Sequence, residues 1–529
     1  MVLKIKIMSN EYIFKMVLKN LSVLLILSVI VEIKSAKILA VFPMPSISHQ
    51  VVFRPLTQEL AKKGHDVTVI TPNPAFPKGN SPSNLREIDI HDISYEFWHQ
   101  FQIDYKADGN SMNFNTIRQT TLLLAKMFVT QLQSPEIQAL INDDSKKFDL
   151  ILIEAVMRPA LVYSYIFKAP VILVSSLGMV VNYHKVMGMH THPLLYPYML
   201  QPRIYNLTLT EKLYQIYMYY SGEFADYLNE IDENKILRNV FGSKVPPLSD
   251  LYLNIDMCFL NIHPIWADNQ PSPSNVLYIG GIHIVPEKEL PQDLQEYLDS
   301  SKHGVIYLSF GTNVLAEMIP PDKIRVIINV LSKLPFDVLW KWDKNELPER
   351  SSNIRISNWF PQADILRHPK VKLFITQAGL QSTDEAINAG VPLVAIPMLG
   401  DQWYNAEKYV KYGIGKKLDI KSLTAEELKS AVETVIKDYN YRNNIIKLRE
   451  YQRDQLMPPL EKAVWWTEYV IRHGGAKHLR SSGANVSYTE YFELEILFIV
   501  ISAVLTVLIS IILILVLFVK LIKKMISYK

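Results

Sequence analysis

Between Asn358 and Gln402 the chain reads NWFPQADILRHPKVKLFITQAGLQSTDEAINAGVPLVAIPMLGDQ, and the residue types there suit capture of a phosphate ester. Val371 to Thr376 is a β-rich apolar run. It meets the small-residue turn Gln377-Ala378-Gly379, and a helical pattern opens at Gln381. Unpaired N–H groups and the dipole at a helix start attract phosphate, and the hydroxyls of Ser382 and Thr383 add donors. Val391 to Met398 reads as the next buried strand and delivers Asp401 and Gln402 beyond its carboxyl end. Ser309-Phe310-Gly311-Thr312 ends another such run with two more hydroxyls and a flexible backbone. Far upstream, His49 follows a strand at the entry to the first helix, where an imidazole can act as a general base. Glu154 closes the apolar run FDLILIEA, so its carboxylate stands at a strand end where it can orient that base.

Trp359, Gln362, the 377–385 turn and the closing Asp401-Gln402 pair keep their order over more than forty positions, and this stretch closely resembles the signature of the UDP-glycosyltransferases. The form is insect-like, with Gln-Ser-Thr-Asp-Glu after the turn. That resemblance implies a GT-B fold, with two Rossmann-like domains facing a cleft and the UDP-sugar in the second. It implies that Trp359 stacks on uracil, that Gln362 reaches the ribose or the base, and that Glu385 accepts from the ribose hydroxyls. Gln381 and Ser382 match positions that contact phosphate, and Asp401 and Gln402 match those that hold the transferred sugar. His49 matches the catalytic histidine. Glu154 stands where most members have aspartate, one methylene shorter. Gln377 replaces a frequent histidine and Ala378 a second glycine. Glutamine donates to phosphate without carrying charge, so weaker diphosphate binding is expected. Ala378 is acceptable provided its φ stays negative.

The expected reaction is inverting transfer of glucose or glucuronate to a small lipophilic acceptor, as in detoxification. UDP-sugar is then a co-substrate; no cofactor or metal is expected, and no Asp-x-Asp motif stands near the donor site. A membrane-anchored protein that holds a nucleotide sugar or hydrophobic ligand without catalysis is the rival reading. A dinucleotide oxidoreductase fits less well, since no Gly-x-Gly-x-x-Gly follows the first strand.

These residues need positioning elements, and 529 residues provide ample core for two or three domains. A net charge of +3 with 20% charged residues gives no nucleic-acid footprint. The one cysteine, Cys258, excludes internal disulfides and thiolate clusters. Lysines before the apolar run Leu21–Val31 read as a secretory signal over 1–36. Strands are expected at Lys37–Pro43, Asp66–Thr71, Phe148–Ala155 and Ala169–Ser175. The intervening helix, with Val52, Leu56 and Leu60 inward, is expected to kink or restart at Pro55. From His184 to about Asp250 no clear period emerges, and acceptor-facing helices and loops are expected. The linker-like Pro271-Ser272-Pro273-Ser274 divides an acceptor domain, 37–270, from a donor domain, 271–480. The donor domain's strands are expected near 276–280, 304–312, 336–340, 354–357, 371–376 and 391–397. The resemblance further implies that its last helices cross back onto the first domain, a contact suited to Trp465 and Trp466.

A juxtamembrane segment, 481–495, leads to Ile496–Val519, which carries no charge and spans about 36 Å as a helix, followed by a lysine-rich tail, 520–529. The positive-inside rule puts that tail in the cytosol and the catalytic domains in a lumen. Residence in the endoplasmic reticulum membrane, as a single-pass type I protein, is implied by the family. Asn206 and Asn485 begin glycosylation sequons, and the oligomeric state stays open, a homo-oligomer included.

Overall fold

A computed structural model describes residues 35–104, 113–180 and 183–528. The expected signal segment lies almost wholly outside the described residues.

Seven parallel strands build the first sheet: β1 (Lys37–Val41), β2 (Asp66–Thr71), β3 (Leu85–Asp89), β4 (Leu150–Glu154), β5 (Val171–Ser175), β6 (Ile255–Leu260) and β7 (Val276–Tyr278). Their order is β3-β2-β1-β4-β5-β6-β7. The second sheet has six parallel strands: β8 (Val305–Ser309), β9 (Asp337–Lys341), β10 (Ile354–Ser357), β11 (Val371–Thr376), β12 (Leu393–Ala395) and β13 (Gly415–Lys417). Their order is β10-β9-β8-β11-β12-β13. Both orders reverse direction beside the first strand of the sheet, and ligands of doubly wound sheets bind at the carboxyl edge of such a switch. β4, β5 and β8 are buried at every position, which is why they read as unbroken apolar runs.

The helix Ile47–Lys62 follows β1 and buries Val52, Leu56 and Leu60. It continues on both sides of Pro55, and the Thr57 hydroxyl donates to the carbonyls of Phe53 and Arg54. Helical geometry therefore resumes directly after the proline.

The domain boundary expected at 270/271 needs correction. Val276–Tyr278 pairs in parallel with β6, Cys258 opposite Val276, so the Pro-Ser-Pro-Ser segment is a crossover loop inside the first domain. The second sheet starts only at Val305. The chain also returns. Ala463, Val464 and Val470 of the Pro459–His473 helix join Val52 and Leu56 in one core, and Asp256 accepts from the Ala476 N–H at 2.7 Å. Trp466 packs against that core, whereas Trp465 is exposed and stacks on Tyr469. The second domain thus ends near residue 453, not 480.

The stretch without visible period contains one 33-residue helix, Leu209–Phe241, opened by a capping box between Thr208 and Glu211. At the carboxyl end, Leu494–Ser527 forms one apolar helix, long enough to cross a bilayer and not buried in the protein.

Candidate active site

β1 delivers the chain through Phe42–Ser46 into the first helix, and His49 sits in its first turn. That loop is pinned by Gln50, whose amide donates to the carbonyls of Phe42 and Met44 while its oxygen accepts from Thr71. His49 Nδ1 lies 2.6 Å from Glu154 Oε1 at the end of β4. The other carboxylate oxygen accepts from the Met44 N–H at 3.0 Å. Both oxygens of a buried carboxylate are thereby engaged, so the longer glutamate reaches its histidine across the sheet edge. A carboxylate on Nδ1 fixes that nitrogen as donor and leaves Nε2 as the basic lone pair.

The facing half comes from the second domain. Gly311 has φ +76°, a conformation that favours glycine, and a Cβ there would stand 2.2 Å from Gln377 Nε2. Gln377 thus lies across the 309–312 turn, and its carbonyl oxygen accepts from Thr376. The Thr312 hydroxyl is buried without a partner, an unmet group at the place where a phosphate oxygen is expected. Ala378 meets the condition under which an alanine is strained here: its φ is +69° and it is fully buried. A side chain in this left-handed region costs roughly 1 kcal/mol, which the surrounding packing must offset.

Gly379 caps the Leu380–Ala389 helix. Gln381 stands at a position expected to contact phosphate, yet its amide donates 2.9 Å across the domain boundary to the Ser176 carbonyl. Gln362 donates to Ser382 at 3.0 Å and to Glu385 at 2.7 Å, gathering three of the donor-side candidates. Burial pushes the Glu385 carboxyl up to about 7, partly opposed by that bond. Trp359 is 59% exposed, with a ring face free of core packing. Gln402 spends its carbonyl oxygen on the N–H groups of Met398 and Leu399, so only its amide N–H groups can serve a sugar hydroxyl.

Burial also raises the Asp401 carboxyl to about 6, with Asn405 and the nearby His49 imidazole acting the other way. Across the domain boundary Asn313, the residue after Thr312, donates to the Ser46 hydroxyl at 3.0 Å, which holds the loop leading to His49 against the donor turn.

Two residues escaped the sequence reading. Asn405 is fully buried and donates to Asp401 Oδ2 at 2.6 Å and to the Ala378 carbonyl at 2.9 Å; its own oxygen accepts from Trp266 of the first domain. It fastens the turn, the Asp401 carboxylate and the opposite domain together. Its only signal is a position one helical turn after Asp401. Lys341 ends β9, donates to the Gly311 carbonyl at 2.7 Å and stands 5.9 Å over the Trp359 ring. A cation beside this turn supplies charge that Gln377 lacks, and a lysine closing a strand was its visible sign.

The two sequons differ. Asn206 is exposed, whereas the Asn485 side-chain nitrogen, where a glycan attaches, is buried.

Residues 36–528 match the family model described as "UDP-glucoronosyl and UDP-glucosyl transferase". The chain belongs to the UDP-glycosyltransferases. It is 36% identical over 492 residues to an ecdysteroid UDP-glucosyltransferase of Spodoptera littoralis nuclear polyhedrosis virus, covering 89% of this chain and 95% of the relative. UDP-glucosyltransferase 2 of Dactylopius coccus is 32% identical over 505 residues, covering 91% and 93%. Among solved structures, glycosyltransferase VinC in complex with dTDP aligns with a TM-score of 0.57 at 15% identity, over 83% of this chain and all of that one. Arabidopsis thaliana UGT89C1 complexed with UDP-L-rhamnose aligns at 0.54 and 17% identity, over 83% and 99%. At such identities the structural likeness shows the GT-B fold. The family assignment makes the chain a glycosyltransferase with a UDP-sugar donor.

Proposed function

We propose that this UDP-glycosyltransferase moves glucose, with inversion, from UDP-glucose to a hydroxyl of a small lipophilic acceptor of steroid or phenol type. The observation that carries the mechanism is the 2.6 Å contact between His49 and Glu154, next to the loop that Ser46 ties to Asn313 of the donor half. His49 Nε2 takes the acceptor proton as the acceptor oxygen bonds to the anomeric carbon. The bond from that carbon to the β-phosphate oxygen breaks, and UDP departs with the electron pair. Glu154 supports the imidazolium. Thr312, the Gln377 amide, the N terminus of the 380–389 helix and Lys341 meet the phosphate charge. Trp359, Gln362 and Glu385 hold uridine, Ser309 and Ser382 line the phosphate path, and Asp401 with Gln402 holds the sugar.

Glucose as the donor is supported by the glucosyltransferase names of the relatives, and the acceptor class by the ecdysteroid named for the viral one. A detoxification role, anchoring of the Leu494–Ser527 helix in the endoplasmic reticulum membrane and a lumenal catalytic body complete the reading. The test is UDP release by membranes expressing the chain, given an ecdysteroid or a phenol. Release with UDP-glucose and none with UDP-glucuronate is expected. Release with UDP-glucuronate alone overturns the donor assignment.

A further inference from the structure

The Leu209–Phe241 helix wears its polarity inside out. From Leu213 to Ile231, about 27 Å of helix, every exposed side chain is apolar or aromatic: Leu213, Tyr214, Tyr217, Tyr220, Phe224, Tyr227 and Ile231. No charged residue is exposed along that stretch. The charges face inward instead. Arg158 pairs with Asp226 at 2.8 Å and Glu233 at 2.7 Å, and Arg118 reaches Asn229 at 3.0 Å and Asp232 at 2.8 Å. An amphipathic helix in water does the reverse, and an apolar stripe of this size marks a contact surface.

The neighbourhood identifies what it contacts. Tyr219, Tyr220 and Glu223 line a cavity of about 640 Å³ together with Val486, Tyr491 and Phe492. Phe492 lies two residues before Leu494, where the exposed apolar helix begins. The aromatic face is therefore beside the point at which the chain enters a bilayer. Four of its seven exposed side chains are tyrosines, whose apolar ring and polar hydroxyl suit the lipid headgroup boundary. Lys212 and Lys235 are exposed at either end, Lys235 paired with Asp232 at 3.2 Å.

We infer that the outward face of this helix lies against the lipid bilayer, a second and interfacial membrane contact that seats the acceptor domain on the membrane. The inference rests on Leu494–Ser527 crossing that bilayer. Cys258 is fully buried, so a cysteine placed at the surface takes a thiol-specific spin label alone. The full chain is reconstituted into phosphatidylcholine vesicles as Tyr217→Cys, Tyr220→Cys or Tyr227→Cys, each label checked by retained UDP binding. Lys429→Cys, exposed on the second domain, is the aqueous control. The ratio of label accessibility to oxygen over that to a water-soluble nickel complex is expected to rise several-fold above the control at all three positions. A ratio equal to the control's overturns the inference. So does spin–spin broadening between chains at these positions, which would assign the face to a second copy. Should one substitution abolish UDP binding, the other two still decide the outcome.

Discussion

The two halves of the active site are built on opposite plans. The acceptor half is one short hydrogen bond: His49, in the first turn of the helix after β1, meets Glu154 at the end of the adjacent strand β4, and the carboxylate is held by a backbone N–H on its far side. The donor half is a set of neutral amides and hydroxyls that are held before any ligand arrives: Gln362 by Ser382 and Glu385, Gln377 by Thr376, Gln402 by the Met398 and Leu399 N–H groups, and Asn405 by Asp401 and the Ala378 carbonyl. Its carboxylates, Glu385 and Asp401, are pushed up to about 7 and 6 by burial. Proton transfer needs one basic nitrogen with a fixed tautomer, so a single contact suffices. Gripping a diphosphate, a uridine and a sugar needs many aimed donors, so the donor half depends on prearrangement. A lesion in the first half should strike turnover, and a lesion in the second should strike donor affinity.

The largest effect on that contrast is expected from Glu154→Gln. Shape is retained but the charge that supports the imidazolium is lost, and kcat should fall by about 10² to 10³-fold with the donor KM little changed. Steady-state kinetics with varied UDP-glucose checks this split. Asn405→Ala comes next. It leaves the Trp266 N–H and the Asp401 carboxylate without their shared partner, and the donor KM should rise roughly tenfold, with about 1–3 kcal/mol of stability lost in denaturant unfolding. A kcat effect without a KM effect would place Asn405 in the wrong half.

Glu385→Gln separates ionisation from shape. The folded-state carboxyl titrates near 7, well above its ordinary value, so the protonated form favours folding. That contribution is complete below about pH 4 and is lost as pH rises through 7. The melting temperature of the unliganded protein should therefore drop between pH 5 and 8, and the glutamine variant should show a flatter profile. The smallest effect is that of Ala378→Gly, which relieves the +69° backbone and should raise stability by up to about 1 kcal/mol with unchanged transfer.

The same contrast governs how much the sequence discloses. Strands buried on both faces, such as Leu150–Glu154 and Val171–Ser175, are written as continuous apolar runs, and the residues at their carboxyl ends followed from them. The dyad, the donor turn and the Asp401-Gln402 pair were accordingly legible as candidates. β3 was hidden because LREID, an edge strand, alternates polar residues. β13 has only three residues, with two lysines. β7 was visible but assigned to the wrong sheet, since partner choice is a tertiary matter that a Pro-Ser-Pro-Ser loop does not reveal. Asn405 and Lys341 act through contacts with distant backbone carbonyls, and no local pattern announces those. The 209–241 helix concealed its period because its apolar side chains lie on both faces.

The most direct measurement of the central claim is UDP affinity and glucosyl transfer in His49→Ala, taken side by side with the unaltered chain. With the base on the acceptor half and the donor held wholly by the other, transfer should fall at least about 10³-fold while the UDP Kd stays unchanged within error. Transfer that persists, or UDP affinity that falls in step with it, would contradict the account.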